Sequence, residues 1–434
     1  MNIKLKTLLN KTQPLNGFIY DTVKLEITKS LGIPKMEILV TIREHKQRTP
    51  ICSQCGQAAP VYDHLPTRTW EHVPLWNIPV KISYAPRRAA CSTCGVKVEA
   101  MPWDEGKRTN TKAMMIFLAQ WARRLSWRET AKSFGVSWDA VYRSVSWVVE
   151  WGLARRDLSG ITAIGIDELH VHKGKKADNF ATVIYQVDEH CKRLLWIGKR
   201  RSVRALRSGL KTLAAAGQTL GIETFAGLQV IVSDMWRPYL KVARKHLSQA
   251  VHILDRFHLT SLLNQAVDKV RRSENYTLPA RGQRKERLKK TRWLLLKSYA
   301  KVRGHARQHL DRVIHSTLKT ARAWALKDAF AHFWTYNHPR YAKAFLDTWI
   351  TRALRSRLPP IRKVANTLRD HEPLILNWFT FKKAFSSAAV EGLNNKVRVI
   401  TRRSYGFRSF HVLETVLYHT LGNLPEPELT HKFC

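Results

Sequence analysis

Two near-identical knuckles, Cys52-Ser-Gln-Cys55-Gly56 and Cys91-Ser-Thr-Cys94-Gly95, constrain the fold of this chain more than any other feature. Two residues between cysteines let both sulfurs of a tight turn face one ion. The glycine after each pair supplies the left-handed backbone that such a turn needs. Four thiolates make a closed tetrahedral zinc site, which is structural rather than catalytic. The 35 residues between the pairs exceed the common spacing of about 15–20, and a β-hairpin fills such a gap. His64 and His72 lie inside it as alternative ligands. Free core thiols are the competing explanation, but paired cysteines in a cytosolic chain of this size bind metal more often than they form structural disulfides. Around the knuckles, residues 1–105 carry short β-type runs, among them 37–41 and 77–85, with no helix-period stretch of useful length. A zinc-ribbon-like β domain is expected there.

Residues 107–152 switch to helical spacing. The stretch LSWRETAKSFGVSWDAVYRSV, 125–145, has the rhythm of a helix-turn-helix. Ala131 is small where two helices cross, Gly135 supplies the turn, Val136 packs beneath it and Ser137 caps the next helix. Trp138, Asp139, Tyr142 and Arg143 are then expected to face outward from a recognition helix. An ordinary helical hairpin has the same rhythm, and charge decides between them. The chain holds 74 Lys+Arg against 33 Asp+Glu, a net +41. Repulsion on that scale opposes compaction unless a polyanion is the normal partner. A phosphate backbone fits, because each cation placed near it releases condensed counterions. A membrane does not: no apolar run approaches the ~20 residues needed to span a bilayer. The N-terminal MNIKLKTLLNKTQPLNGF lacks a long apolar segment ending in a small-residue cleavage site, so a cytoplasmic, DNA-binding chain is expected.

From residue 161 the pattern becomes strands with intervening helices: ITAIGID, FATVIYQV, RLLWIG, a helix over 202–216, then LQVIVSD and AVHILD. Among these, the runs ITAIGID and LQVIVSD end in Asp167 and Asp234. An isolated aspartate at a strand end serves as often as a turn or helix cap. Two at the ends of buried strands place carboxylates at one sheet edge, close enough to share metal ions, which for oxygen ligands, phosphates and water are Mg²⁺ or Mn²⁺. Two ions about 3.5–4 Å apart can activate an attacking oxygen and stabilise a leaving one. Such a site requires a third acid, and Glu391 is the best candidate. In a helix, Val390, Leu393, Val397 and Ile400 form an apolar stripe, while Glu391, Asn394, Asn395, Arg398 and Arg402 are expected to cluster on a different side as a carboxylate flanked by phosphate-binding groups. Asp370, Glu372, Asp255 and Glu168 are the competitors. Residues 256–380 look almost wholly helical and very basic. The run 281–307 sets eleven Lys/Arg against Glu286, a composition suited to tracking a DNA backbone or, more blandly, to a solvated helix face.

Taken together, the chain resembles a DDE-type insertion-sequence transposase of the bacterial ISL-three family. The resemblance covers most of the chain and rests on CSQCG, CSTCG, the helix-turn-helix, IGIDE (164–168), VSDMWRPY (232–239), HILDRFH (252–258), TRWLLLK (291–297) and AVEGLNNKVRVITRRSYGF (389–407), in that order. It implies an α+β multidomain chain: a zinc-binding β domain over 1–105, a helix-turn-helix DNA-binding domain over 106–155, and an RNase H-like α/β catalytic core starting at 156–260. A basic helical insertion over 261–380 would follow, with the last core helices over 381–434. Asp167 would lie on the first core strand, Asp234 would end the fourth, and Glu391 would sit on a helix after the insertion, 157 residues beyond Asp234. The implied activity is binding of an element's terminal inverted repeats, followed by two-metal strand cleavage and strand transfer. Double-stranded DNA would be both end and target, the protein a homo-oligomer on DNA, and the location the bacterial cytoplasm in association with the nucleoid. Two other readings use the same parts. One is a catalytically inactive DNA-binding regulator derived from a transposase, against which the three acids count. The other is a metal-dependent nuclease that hydrolyses without joining.

Overall fold

A computed structural model of the protein describes residues 4–30, 33–171, 177–278, 288–381 and 388–428. They divide into two compact units, Met1–Asp157 with Ile400–Cys434, and Leu158–Val399. Among the described residues, twelve strands form three sheets in a mixed α+β architecture.

The first unit begins with helix α1 (Leu5–Thr12) and strands β1 (Phe18–Ser30), β2 (Ile33–Glu44), β3 (Val61–His64), β4 (Arg68–Leu75), β5 (Ile78–Tyr84), β6 (Arg87–Cys91) and β7 (Gly95–Val98). One sheet has the order β1-β2-β5-β4, antiparallel except for the parallel β2–β5 pair. Alternate residues, Ile38, Val40 and Ile42 on β2 and Val80, Ile82 and Tyr84 on β5, turn into one core. There Phe18, Trp70 and Tyr84 meet the Trp103 ring edge to face, with centroids 4.7 to 6.0 Å apart. The second sheet, β3-β6-β7, packs on Cys52, Ala59, Ala89 and Cys91. Side chains this small bury little apolar area, so three short strands need another source of stability.

The sequence pattern had offered no helix in this region, and α1 is the exception. Its eight residues fall short of the window in which helical periodicity stands out. Leu9 packs against the sheet core, and the Asn10 side chain bonds the Tyr20 backbone in both directions. Helices α2 (Lys112–Arg124), α3 (Trp127–Ser133) and α4 (Trp138–Leu153) then follow.

The second unit holds β8 (Ala163–His170), β9 (Phe180–Val187), β10 (Lys192–Lys199), α5 (Val203–Thr219), β11 (Val230–Ser233), α6 (Arg237–His246) and β12 (Val251–Leu254). Its sheet runs β10-β9-β8-β11-β12. The first three strands are antiparallel, and β8, β11 and β12 are parallel. The continuous apolar runs are explained by burial on both faces. Ile164 and Ile166 of β8 join Leu206, Leu210 and Leu213 of α5 and Tyr239 and Val242 of α6 in one core cluster. Gly165, on the opposite face by alternation, lies so close to a later helix that a Cβ would come 2.4 Å from Cγ2 of Val390.

Helices α7 (Arg256–Thr277), α8 (Arg292–Leu296), α9 (Gly304–Ile314), α10 (Lys319–Phe330), α11 (Pro339–Arg355), α12 (Pro359–Asp370) and α13 (Glu372–Thr380) account for the expected helical stretch. Positions 279–287, which include part of the basic run 281–307, lie outside the described residues. The buried Glu274 carboxylate caps α10, accepting from the backbone N–H groups of Lys319 and Thr320 and from the Thr320 hydroxyl, each at 2.7 Å. Helix α14 (Ala388–Arg403) carries Glu391, and α15 (Phe410–Leu421) packs on α4 in the first unit. Among the described residues, no helix is long and apolar enough to cross a membrane.

Candidate functional site

Strands β8 and β11 are parallel neighbours whose register pairs Ile166 with Ser233. The next residue on each is an aspartate, so Asp167 and Asp234 fall side by side at the C-terminal edge of the sheet. Asp167 Oδ1 accepts from the Glu168 N–H at 2.8 Å, and Oδ2 accepts from the Asn394 amide at 2.6 Å. Asp234 Oδ1 accepts from the Trp236 N–H at 2.9 Å. Burial pushes the Asp167 carboxyl above its ordinary value. The Glu168 N–H, the His258 charge and the Asn394 amide pull it back, and the Asp234 charge adds to the rise.

Glu168, a weak competitor on sequence grounds, follows Asp167 on β8 and is linked to Asp234 through Arg201. Burial first, and then the Asp234 charge, push its carboxyl up to about 8 in spite of Arg201. Arg201 follows β10 and pairs with Glu168, its Nη2 stands 3.6 Å from Asp234 Oδ2, and its guanidinium lies 4.5 Å from the Trp236 ring centre. Burial of the Asp167 and Glu168 carboxyls near the Asp234 charge makes an electrostatic sink that a divalent cation would relieve. Each Asp167 oxygen has given one lone pair to the protein and keeps another. A hard cation such as Mg²⁺ or Mn²⁺ therefore fits this donor set.

Glu391 occupies the first turn of α14 and is exposed. It precedes Asn394 by three residues, close to one helical turn. Among the described residues, no trio of acids, whether completed by Glu391 or by Glu168, has ligand atoms all within 4.8 Å of one another; the group that does is the four cysteines. The other competing acids have partners of their own. Asp370 pairs with Arg237 at 3.3 Å, Glu372 pairs with Lys343, and Asp255 caps α7 through the Phe257 N–H at 2.8 Å.

Asn394 is placed differently from its expected neighbours. It is 8% exposed and lies with Val390, Leu393 and Val397 on the inward side of α14, whereas Asn395, Arg398 and Arg402 are exposed. Arg398 donates to the Asn395 side chain at 2.7 Å. Helical spacing carries the signal for this: Asn394 follows Val390 by four residues and so shares its face. No comparable signal marked Arg201 or Tyr185, whose roles depend on contacts far apart in sequence.

The four cysteines come together. The Cys55 and Cys91 sulfurs are 3.5 Å apart, close to the roughly 3.8 Å edge of a tetrahedron with 2.3 Å zinc–sulfur bonds. Gly56 and Gly95 adopt φ of +75° and +72°, as each knuckle requires. Backbone N–H groups of Cys94 and Thr93 pull the Cys91 thiol down to about 7, and those of Cys55 and Gln54 lower Cys52 in the same way. The donor set suits zinc. His64 and His72 stand outside the cluster, and His72 bonds Thr111 Oγ1 at 3.0 Å. A buried network joins the knuckles to the larger sheet. Glu99, 1% exposed, accepts from Tyr84 Oη at 2.6 Å and from Arg87 Nη2 at 2.8 Å, and pairs with Arg48 at 3.1 Å. Burial opposes its charge, but the Arg87 and Tyr84 bonds prevail and hold its pKa below the ordinary value.

In the helical pair α3–α4, Ser126 and Glu129 form a reciprocal cap on α3. Gly135, at φ +64°, closes it, with the Val136 N–H on the Ala131 carbonyl at 3.0 Å. Ser137 caps α4 through the Ala140 N–H at 3.1 Å. Trp138 and Tyr142 are half-buried and stack at 5.5 Å with a 15° interplanar angle, under the Arg408 guanidinium. Arg143 is exposed.

A family model described as Transposase, for the DDE ISL3 group, matches residues 164–417, more than half of the chain. The transposase for insertion sequence element IS1001 of Bordetella parapertussis is 25% identical over 361 residues, spanning 82% of this chain and 85% of its own length. The transposase for insertion sequence element IS1557 of Mycobacterium tuberculosis is 24% identical over 410 residues, spanning 89% of this chain and 88% of its own. The chain belongs to the ISL3 (ISL-three) family of DDE-type insertion-sequence transposases and is a DNA transposase.

Proposed function

We propose that this transposase binds the terminal inverted repeats of its element and performs both strand cleavage and strand transfer at the carboxylate cluster on the edge of the β8–β11 sheet. The observation that carries this is the parallel register that sets Asp167 beside Asp234. The strand order, three antiparallel strands followed by two parallel ones, supports an RNase H-like core. Asp167, Asp234 and Glu391 would hold Mg²⁺ or Mn²⁺, with Glu391 brought in from α14. When bound, such ions supply activation of the attacking oxygen and stabilisation of the leaving one. The protein's own contribution is positioning: backbone N–H groups orient the two aspartates, and α14 presents Asn395, Arg398 and Arg402 toward phosphate. We assign 1–105 to a zinc-binding β domain held by Cys52, Cys55, Cys91 and Cys94, and 106–155 to a helix-turn-helix. Trp138, Tyr142 and Arg143 on α4 would meet the repeat, Trp138 and Tyr142 by their stacked edges and Arg143 directly. Residues 261–380 form the basic insertion, and the complex assembles as a homo-oligomer on DNA.

Incubating the protein with a labelled element end, a plasmid target and Mg²⁺ should give both cut ends and joined product, and EDTA should remove both. Cut ends that never join would favour a nuclease, and neither product would favour a regulator. Binding should also be steeply salt-dependent, since log affinity falls against log salt with a slope of about −0.9 per phosphate neutralised. A nearly flat line would mean that the +41 charge faces something other than DNA.

A further inference from the structure

Asn394 is buried on a helix whose other polar residues, Glu391, Asn395 and Arg398, are exposed. Both ends of its amide are in use. Nδ2 donates to Asp167 Oδ2 at 2.6 Å, and Oδ1 accepts from the Tyr185 hydroxyl at 2.9 Å. Tyr185 is itself fully buried on β9. A carboxylate can only accept, so the amide must turn its nitrogen to Asp167. A phenol that donates to the remaining oxygen enforces the same orientation. Flipping the amide would set oxygen against carboxylate and leave the Tyr185 hydroxyl facing an NH₂ group, both inside the protein.

We propose that Asn394 is a positioning residue that fixes the register of α14 on β8, and through it the place of Glu391, and that Tyr185 aims the Asn394 amide. The inference rests on the reading that Asp167 and Glu391 belong to one metal site. Helix α14 meets β8 at two points one turn apart, Val390 over Gly165 and Asn394 on Asp167. The Val390 contact is apolar and non-directional, so by itself it tolerates sliding and rotation. Two hydrogen bonds to one buried amide are directional and do not. Glu391 lies between the two contacts in sequence. A rotation of α14 by one residue would swing its carboxylate by about 100° relative to the two aspartates. The same amide keeps Asp167 Oδ2 pointing one way while leaving a lone pair for a cation.

The test is Mn²⁺ binding to the full chain, read by electron paramagnetic resonance without DNA, with DNA-end affinity in EDTA and melting temperature measured alongside. Partners that orient metal ligands typically contribute about 10–100-fold in metal affinity. Tyr185→Phe keeps the ring packed and should weaken Mn²⁺ binding by about 10-fold, while Asn394→Leu, close in shape, should weaken it by about 100-fold. End affinity should be unchanged in both. In a Glu391→Gln background the Asn394→Leu effect should shrink severalfold, because the route through Glu391 is already cut. A merely structural asparagine would lower melting temperature without that coupling. Mn²⁺ affinity equal to wild type in the folded Tyr185→Phe and Asn394→Leu variants, or full additivity with Glu391→Gln, overturns the inference. Asp167→Asn separates the two levels: if it abolishes Mn²⁺ binding while the Asn394 and Tyr185 variants bind Mn²⁺ as tightly as wild type, only the positioning role falls. If Asp167→Asn binds Mn²⁺ normally, the metal-site reading falls and the positioning role with it.

Discussion

Asp167→Asn and Asp234→Asn should each abolish Mg²⁺-dependent cleavage and joining while leaving metal-free binding of element ends intact. Each change preserves side-chain size and removes one negative charge from neighbouring positions at the sheet edge. Metal-ion catalysis contributes several kcal/mol of transition-state stabilisation, so losing a ligand should slow the reaction by at least about a thousandfold. End binding should persist, because the residues assigned to it lie on α4 and the exposed side of α14. It should even tighten slightly as carboxylate–phosphate repulsion falls. Glu391→Gln should match the two aspartate variants. Glu168 supplies the sharpest contrast, because its buried carboxyl shares Arg201 with Asp234 while Glu391 is exposed on α14. If Glu168→Gln is inactive and Glu391→Gln cleaves normally, the third acid is Glu168. If all the carboxylate variants cleave normally, the site proposed for the chemistry is the wrong one.

Much of this was legible in the sequence because local signals and tertiary demands coincided. The runs ending at Asp167 and Asp234 are apolar on both faces, as strands covered on both sides must be. The knuckle glycines occupy the left-handed region that their position after each pair foretold. Gly135 and Ser137 likewise end one helix and start the next as their residue types suggest. What stayed hidden depends on contacts far apart in sequence. Arg201 reads as one cation of a Lys-Arg-Arg triplet, and only the fold brings it to Glu168 and Asp234. Tyr185 reads as a strand aromatic, and its hydroxyl acquires meaning from a helix 209 residues away. Glu99 has no local signature as the shared acceptor of Tyr84, Arg87 and Arg48. Asn394 is an intermediate case: its spacing from Val390 pointed inward, but polarity suggested the opposite face. A buried polar residue on an apolar stripe is worth reading as a bond to a specific partner before it is read as a surface contact.

Removing zinc from the knuckles should have an effect as large as removing an acid, but on binding rather than chemistry. Freshly purified, reduced protein should carry about one zinc per chain, as a closed four-thiolate site requires. Cys91→Ser should lose that zinc, unravel the β3-β6-β7 sheet and abolish end binding. The packing explains the severity. The sheet's own core is two alanines and two cysteines, with Cys94 against it, far too little apolar area to offset the entropy of ordering three strands. Structural zinc supplies about 10–16 kcal/mol in zinc-finger peptides, so in such a small module the metal takes the place of a core. The loss should stop at the larger sheet of the same unit, whose aromatic core around Trp70 and Trp103 does not involve the cysteines. Circular dichroism should therefore show partial rather than global unfolding. Mn²⁺ binding at Asp167 and Asp234 should survive, since those residues belong to the other compact unit. Zinc-free wild-type protein that binds ends normally, or Cys91→Ser protein that keeps both zinc and end binding, would show that the thiols neither bind zinc as a set nor support recognition.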